Sequence, residues 1–358
     1  MIKKLKLALV AAAISVAAPG TNLFAGGLFN FSKCDALCCD DNYCQDGCAS
    51  SPYYDGCDSC GLTSCLSGSC LSGSLLAGSG LSGSCLSTLD PRNYIRRSER
   101  CFDDFISPMI NPIYFEDPRN LSELRPIFIS HRVPTAAGGG SIQLYAAQFR
   151  AALTENLSLI AVKDGYVVSG NPLIDDGWAS VALGLKYNVL RDAYNGRLAS
   201  VGFTYDIPMG STGTFQSLGG GQFFVFGTAG QRFLDGDAHY LTSFGYRFPT
   251  DSSVQSSSFN WSHQVDLRLT RTVYALTGLS WWHWNSSASG GIPLGVAGQD
   301  LFNLPANNVT GNNLLTQNVG MKYKPSANTE MGIAYEFPLT RYRDVIKDRV
   351  QVDLIFRY

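Results

Sequence analysis

The chain is short of charge, of histidine and of long apolar runs, and each shortage removes a class of function. Asp, Glu, Lys and Arg make up 16% of its 358 residues and leave a formal net charge of -2. Without a basic excess there is no electrostatic footprint for nucleic acid, so that partner is excluded. The longest apolar stretch, Leu7 to Ala18, is shorter than the ~20 residues a helix needs to cross a bilayer, so no transmembrane helix is expected. Histidine occurs four times, at His131, His239, His263 and His283, and never among the cysteines. The CxxC of Cys57 and Cys60 therefore has neither the partner motif of a zinc site nor the following histidine of a haem site. No metal and no cofactor is expected, and disulfides are the favoured reading of the cysteines.

Cysteine is also absent from the whole chain after Cys101, which marks a boundary between unlike parts. Residues 1–25 follow the plan of a secretory signal, with Lys3, Lys4 and Lys6 before the apolar stretch and a cut after Ala25. Residues 26–88 form a Cys-rich, mostly irregular extension. Its candidate disulfide residues, together with Cys101 beyond it, are Cys34, Cys38, Cys39, Cys44, Cys48, Cys57, Cys60, Cys65, Cys70 and Cys85. Eleven is an odd number, which leaves one for another chain or for a free thiol, and exported cysteines usually pair. From Cys65 the segment repeats CLSGS-like units every five residues. Such Gly and Ser density favours a flexible tether, and the sharper alternative is cross-linking through Cys65, Cys70 and Cys85 to other envelope proteins. Residues 89–125 are expected to be a connector with a short helix, capped by Asp117 with Pro118 first, running through Leu121 and Leu124 and stopped by Pro126. A plug at the periplasmic mouth is the alternative role for that connector.

From residue 126 the polarity alternates with a period of two. Twelve strand-like runs are expected near 126–133, 141–153, 157–163, 178–190, 198–207, 222–233, 238–248, 259–270, 273–284, 314–325, 330–338 and 349–358. The gaps between them alternate between long and short, the rhythm of an up-and-down antiparallel barrel with turns on one side and loops on the other. In the last run Val350, Val352, Leu354, Phe356 and Tyr358 share one parity, opposite Gln351, Asp353 and Arg357. The fold class read from this is all-β, a twelve-stranded transmembrane β-barrel over 126–358, whose outer face meets lipid. A secreted sandwich or propeller is the soluble alternative. Trp281, Trp282 and Trp284, with Tyr246 and Phe248, are expected at the outer interface, and Tyr274, Phe356 and Tyr358 at the inner one.

The opposite parity collects the lumen candidates: Arg150, Lys186, Asp206, Arg232, Arg247, Asp266, Arg268, Lys322, Glu336, Asp353 and Arg357. Mixed charge of this kind suits either a hydrated pore or a salt-bridged, largely closed interior. Phe224 and Phe226 fall on the same parity and would make an apolar constriction, although Phe223, Val225 and Phe233 form an equally good outward set. An enzyme is not expected. A lipid hydrolase of the rim would need a Ser and a His, and the nearest approach is His283 beside Ser286 and Ser287, with no nucleophile, base and orienting group at family spacing.

The signal segment, the twelve-run rhythm and the terminal VQVDLIFRY resemble the outer-membrane channel proteins of diderm bacteria, including the phenol meta-pathway type of hydrophobic-compound transporter. The resemblance covers about two thirds of the chain, and the Cys-rich front departs from it. It implies a passive channel for small or hydrophobic solutes in the outer membrane, with the N-terminal segment periplasmic. It also implies that the barrel-assembly machinery reads Val350, Val352, Leu354, Phe356 and Tyr358. A structural anchor that joins the Cys-rich segment to the cell wall is the alternative role.

Overall fold

The computed structural model describes residues 95–358; the signal segment, the repeats and ten of the eleven cysteines lie outside the described residues. The described part contains β-strands and short 3-10 turns and no α-helix. Its strands are β1 (Glu123–Arg132), β2 (Ser141–Ala152), β3 (Leu157–Lys163), β4 (Tyr166–Ser169), β5 (Gly177–Trp178), β6 (Val181–Asp192), β7 (Arg197–Ile207), β8 (Gln222–Phe233), β9 (Ala238–Pro249), β10 (Ser257–Arg268), β11 (Val273–Ser286), β12 (Asn313–Ser326), β13 (Thr329–Pro338) and β14 (Asp348–Arg357). β3 and β4 both pair with β2 and make one interrupted stave, and β5 continues β6 as another. The barrel therefore has twelve staves. Every neighbouring pair is antiparallel, and β1 pairs with β14 from Glu123↔Arg357 to Arg132↔Asp348, which closes the cylinder. Closure leaves no sheet edge to be solvated, the condition for a sheet in lipid.

The alternation in sequence becomes an apolar exterior. On β6 and β7, Leu183, Leu185, Tyr187, Val201 and Phe203 are exposed, while Lys186, Asn188, Ser200 and Thr204 between them are buried. The same holds on β12 to β14, where Val319, Met321, Ile333, Tyr335 and Phe356 face out. Strands of 10 to 14 residues match the height of the apolar band of an outer-membrane barrel.

Three expectations are corrected. First, the connector is not a helix: Asp117 accepts the Arg119 N–H at 3.0 Å as a cap would, but the carbonyls of Asp117, Pro118 and Arg119, which a helix would use, accept from Lys186, Asn188 and Ser200 of the wall. Pro126 then lies inside β1, which begins at Glu123 rather than at 126. Second, the loop expected over Asp164 to Gly177 contributes β4 and β5 to the wall. Third, Trp282 and Trp284 have no exposed surface and point into the lumen, as does Tyr274 at 3% exposure. Adjacent residues of a strand face opposite ways, so Trp281 and Trp282 cannot both meet lipid.

Candidate functional site

The lumen is the candidate site, and it is filled from both ends. Residues 101–122 precede β1, enter from the short-turn end and fold into the barrel as a plug. Phe102, Phe105, Ile106, Met109, Ile110, Tyr114 and Phe115 are all buried. Near the rim the chain is tied down by Ser98, which donates its backbone N–H to Tyr358, and by Arg96, which donates to Ala152. The apex is Tyr114, whose ring meets Phe224 at 4.6 Å and Trp282 at 5.5 Å between centroids. From the other end the loop between β11 and β12 folds inward as a cap, burying Gln299, Asp300, Leu301, Phe302 and Asn303.

Charge explains why the plug stays. Glu116 receives Arg150 at 2.6 Å and Lys186 at 2.9 Å, and Lys186 also donates to the carbonyls of Asp117 and Arg119. Glu123 joins Arg150 to Arg357, each at 3.0 Å, and Glu330 joins Arg357 at 2.7 Å to Lys322 at 3.1 Å. Asp353 accepts from Lys322 at 3.0 Å and from Arg125 Nε at 2.9 Å. At the mouth Asp104 of the plug binds Arg232 and His239, and His239 leans on Asp266 at 2.7 Å. Burial alone would raise the Asp104 carboxyl, but the hydrogen bonds and charges of His239 and Arg232 outweigh it and hold the group well below the usual carboxylate range.

The cap is latched in the same way. Arg349 binds Asp300 at 2.7 Å and Glu336 at 2.8 Å. Arg247 donates to the carbonyls of Gln299 and Phe302 and lies over the rings of Tyr114 and Trp282. Burial pushes the Asp344 carboxyl up, while the backbone N–H groups of Ala297 and Gly298 that it holds pull the other way.

The expected lumen residues thus all sit inside or at the mouth of the cylinder. Arg150, Lys186, Asp206, Arg247, Asp266, Lys322, Glu336, Asp353 and Arg357 are buried, and Arg232 and Arg268 lie partly exposed at the short-turn rim. Asp206 is paired with Lys163 at 2.6 Å. Phe224 and Phe226 face inward, stacked at 5.7 Å, and Phe223, Val225 and Phe233 take the outer parity. Sequence reasoning missed the plug's own Glu116, Asp117 and Arg119, and the wall residues Glu123, Arg125, Lys163, Glu330 and Arg349. Glu330 and Arg349 carry the inward parity within the expected runs, Glu123 and Arg125 carry it just before the first, and Lys163 turns inward only through the bulge that pairs it with Ala182. Nothing local marked Glu116, whose partners Arg150 and Lys186 are distant in the chain. His283 is on the outer face, bonded to Asn313 at 3.0 Å, while Ser286 meets Ser257 and Ser287 meets Thr310. The structure does not bring that histidine and those serines together. Cys101 is the one cysteine described and packs beside Phe102 and Phe105; the pairing of the others lies outside the described residues.

The wall is weakest on one side. Toward β14, the ladder of β1 skips Arg125 and Pro126, since proline has no N–H to give. At the same height the β3–β4 stave breaks at Asp164 and Gly165, and the β5–β6 stave breaks at Ala179 and Ser180. Asp164 leaves the ladder to accept the N–H of Ala147 with its side chain. Outside this line lies a groove of about 710 Å³ bordered by Phe128, Tyr145, Trp178 and Leu354. Inside it lies an apolar cavity of about 30 Å³ lined by Ile127, Ile129, Ile142, Leu144, Val162 and Phe302. Ile127, Ala146, Asp164 and Ala179 border both.

No family model and no curated protein matches the sequence. Solved structures do share its architecture. An outer-membrane channel from Pseudomonas putida F1 is 12% identical, over 71% of this chain and 100% of that one, with a TM-score of 0.49. The NanC porin is 9% identical over 66% of this chain and 100% of its own, with a TM-score of 0.43. The KdgM porin is 10% identical over 65% and 99%, with a TM-score of 0.40. Among the solved structures that this chain is similar to are thus an outer-membrane channel and two porins.

Proposed function

We propose that the protein is a passive channel of the bacterial outer membrane, held shut by plug and cap, that admits small apolar solutes through its wall. One observation carries the reading: the apolar cavity lies behind a stretch of wall where the β1–β14 ladder and both ladders of the β3–β4 stave are interrupted, with the β1–β2 ladder continuous between them and the groove on the lipid side in front. An apolar solute concentrates in the membrane, and a break in the ladder there is an opening that costs few hydrogen bonds to widen. The filled axis supports this route over a straight aqueous one, because plug and cap occupy it and are tied to the wall by buried salt bridges. The short-turn end, with residues 95–100, then faces the periplasm and carries the Cys-rich segment there. The test is uptake of an apolar dye into vesicles bearing the protein. Ala146→Phe, which fills the cavity, should cut uptake severalfold with the barrel still folded; unchanged uptake sinks the wall route, and uptake no faster than in empty vesicles sinks the channel.

A second reading, the envelope anchor, is favoured by the same filled lumen. It predicts that replacing Cys65, Cys70 and Cys85 by Ser abolishes cross-links to other envelope proteins and leaves uptake untouched.

A further inference from the structure

One carboxylate of the plug sits in a grip that the wall alone provides. Arg150 on β2 and Lys186 on β6 are buried, stand on different staves and converge on Glu116. The guanidinium takes it edge-on, Nε donating to Oε1 at 2.8 Å and Nη2 to Oε2 at 2.6 Å, and Lys186 Nζ donates to the same Oε1 at 2.9 Å. A planar fork on both oxygens, with an ammonium on one of them, is the arrangement that recognises a carboxylate by its shape as well as its charge. Here the chain itself supplies the occupant.

That occupant rides on a loop built to leave by the way it came. Its two feet stand side by side at the end of β14, where Ser98 donates its N–H to the Tyr358 carbonyl and Tyr358 donates its own to that of Ser122. Glu99 joins Asn120 across the base. Between the feet the chain runs to Tyr114 and back through the same mouth. None of residues 102–122 belongs to a strand, and the N–H groups of Phe105, Tyr114 and Phe115 bond within the loop, to Phe102 and Asn111. Withdrawal therefore unpairs no ladder and threads nothing through the barrel.

Charge says what takes the place of Glu116. Residues 102–122 carry four acids, Asp103, Asp104, Glu116 and Asp117, against Arg119 alone, a net charge of -3. The wall answers with cations: Arg125 donates to the Pro108 carbonyl, Arg232 to Asp104 and Lys324 to the Phe105 carbonyl. Glu330, which accepts the Ser107 N–H, is covered by Arg357 and Lys322. Lys186 gives its other two bonds to the carbonyls of Asp117 and Arg119, so all three go to the loop. With the loop out, Arg150 retains Glu123 and Lys186 has none of these partners. Two cations short of an anion attract one, and the fork selects its shape. We infer that Arg150 and Lys186 form a binding site for a small organic carboxylate that enters by the short-turn mouth, and that Glu116 is a tethered competitor holding the plug in place. This site goes beyond the wall route and does not rest on it.

Chemical rescue on the full-length protein in detergent tests the site. Chymotrypsin cleavage at Phe102, Phe105, Tyr114 and Phe115, read by mass spectrometry, reports the loop, and heat-shifted gel mobility reports the barrel. Glu116→Gly should be cut faster than the wild type, and propionate, which restores the missing side chain, should slow that cutting about tenfold, as regaining a charge-assisted hydrogen bond implies. Propionamide, or chloride at equal ionic strength, should not. Adding Lys186→Met should abolish the rescue. In the wild type, which needs no variant to fold, propionate should act in the opposite sense and speed the cutting, above roughly mM concentrations because the tethered carboxylate competes at about that level. If folded Glu116→Gly is cut no faster than the wild type, if propionamide or chloride rescues equally, or if rescue survives Lys186→Met, the pair is an ordinary structural bridge and the site is overturned. Wild-type cutting indifferent to propionate overturns it too, since the seat is then closed to solution; apolar-dye uptake reads the wall route separately.

Discussion

At the scale of single residues, the inward parity does two jobs, and glycine marks where they meet. Phe224 and Phe226 can lie flat in the lumen because Gly245 and Gly202 face them; a methyl group at Gly202 would stand 2.6 Å from Phe226 Cζ, and one at Gly245 would collide with the ring of Phe224. Gly245→Ala should therefore destabilise the barrel by about 1 to 3 kcal/mol through overpacking, measured by urea unfolding in vesicles. Asp104 gives a pH test. Its carboxyl is held below the ordinary aspartate value of 3.8. A depressed acid stabilises the folded contact fully above that ordinary value and loses this contribution as pH falls through it toward the lower bound-state value. The hold of the plug on Arg232 and His239 should loosen as pH drops below about 4, seen as more frequent conductance bursts. Asp104→Asn should burst at neutral pH as well.

At the scale of elements, the plug is a strand-preceding segment held by long-range charge pairs rather than by its own secondary structure. Glu116 is the centre, with Arg150 and Lys186 as partners. Glu116→Gln leaves two buried cations short of an anion, a loss of about 3 to 5 kcal/mol from the plugged state. Proteolysis of residues 101–122 in the folded protein should accelerate greatly, while the barrel persists. The connector reads as a helix by capping rules, and it fails to be one because the carbonyls of Asp117, Pro118 and Arg119 accept from Lys186, Asn188 and Ser200 instead of from a following turn. Capping rules weigh local partners, and here the donors come from across a cylinder.

At the scale of the whole molecule, stability depends on a closed cylinder with lipid outside. Val201 stands exposed on β7 between buried Ser200 and inward-packed Gly202. Val201→Arg should cost about 2 to 4 kcal/mol if the middle of β7 lies at bilayer mid-depth, and far less for a barrel held in detergent. Equal losses in both media would argue against a lipid-facing exterior. The pairing of β1 with β14 joins segments more than two hundred residues apart in the chain, so closure should be the slow step of folding.

The sequence by itself determined the number of staves and the inward parity along most of them, because a period of two and the placement of Gly, Pro and Asp are local properties that strand geometry reads directly. Val352 against Asp353, or Leu185 against Lys186, needed no further context. What the tertiary structure alone decided was what fills the middle. Whether Arg150 lines water or binds Glu116, and whether Trp282 faces water or packs on Tyr114, depend on where a connector and a loop come to rest. Those positions are set by charge pairing and exclusion of water across the lumen, over separations that no local pattern records.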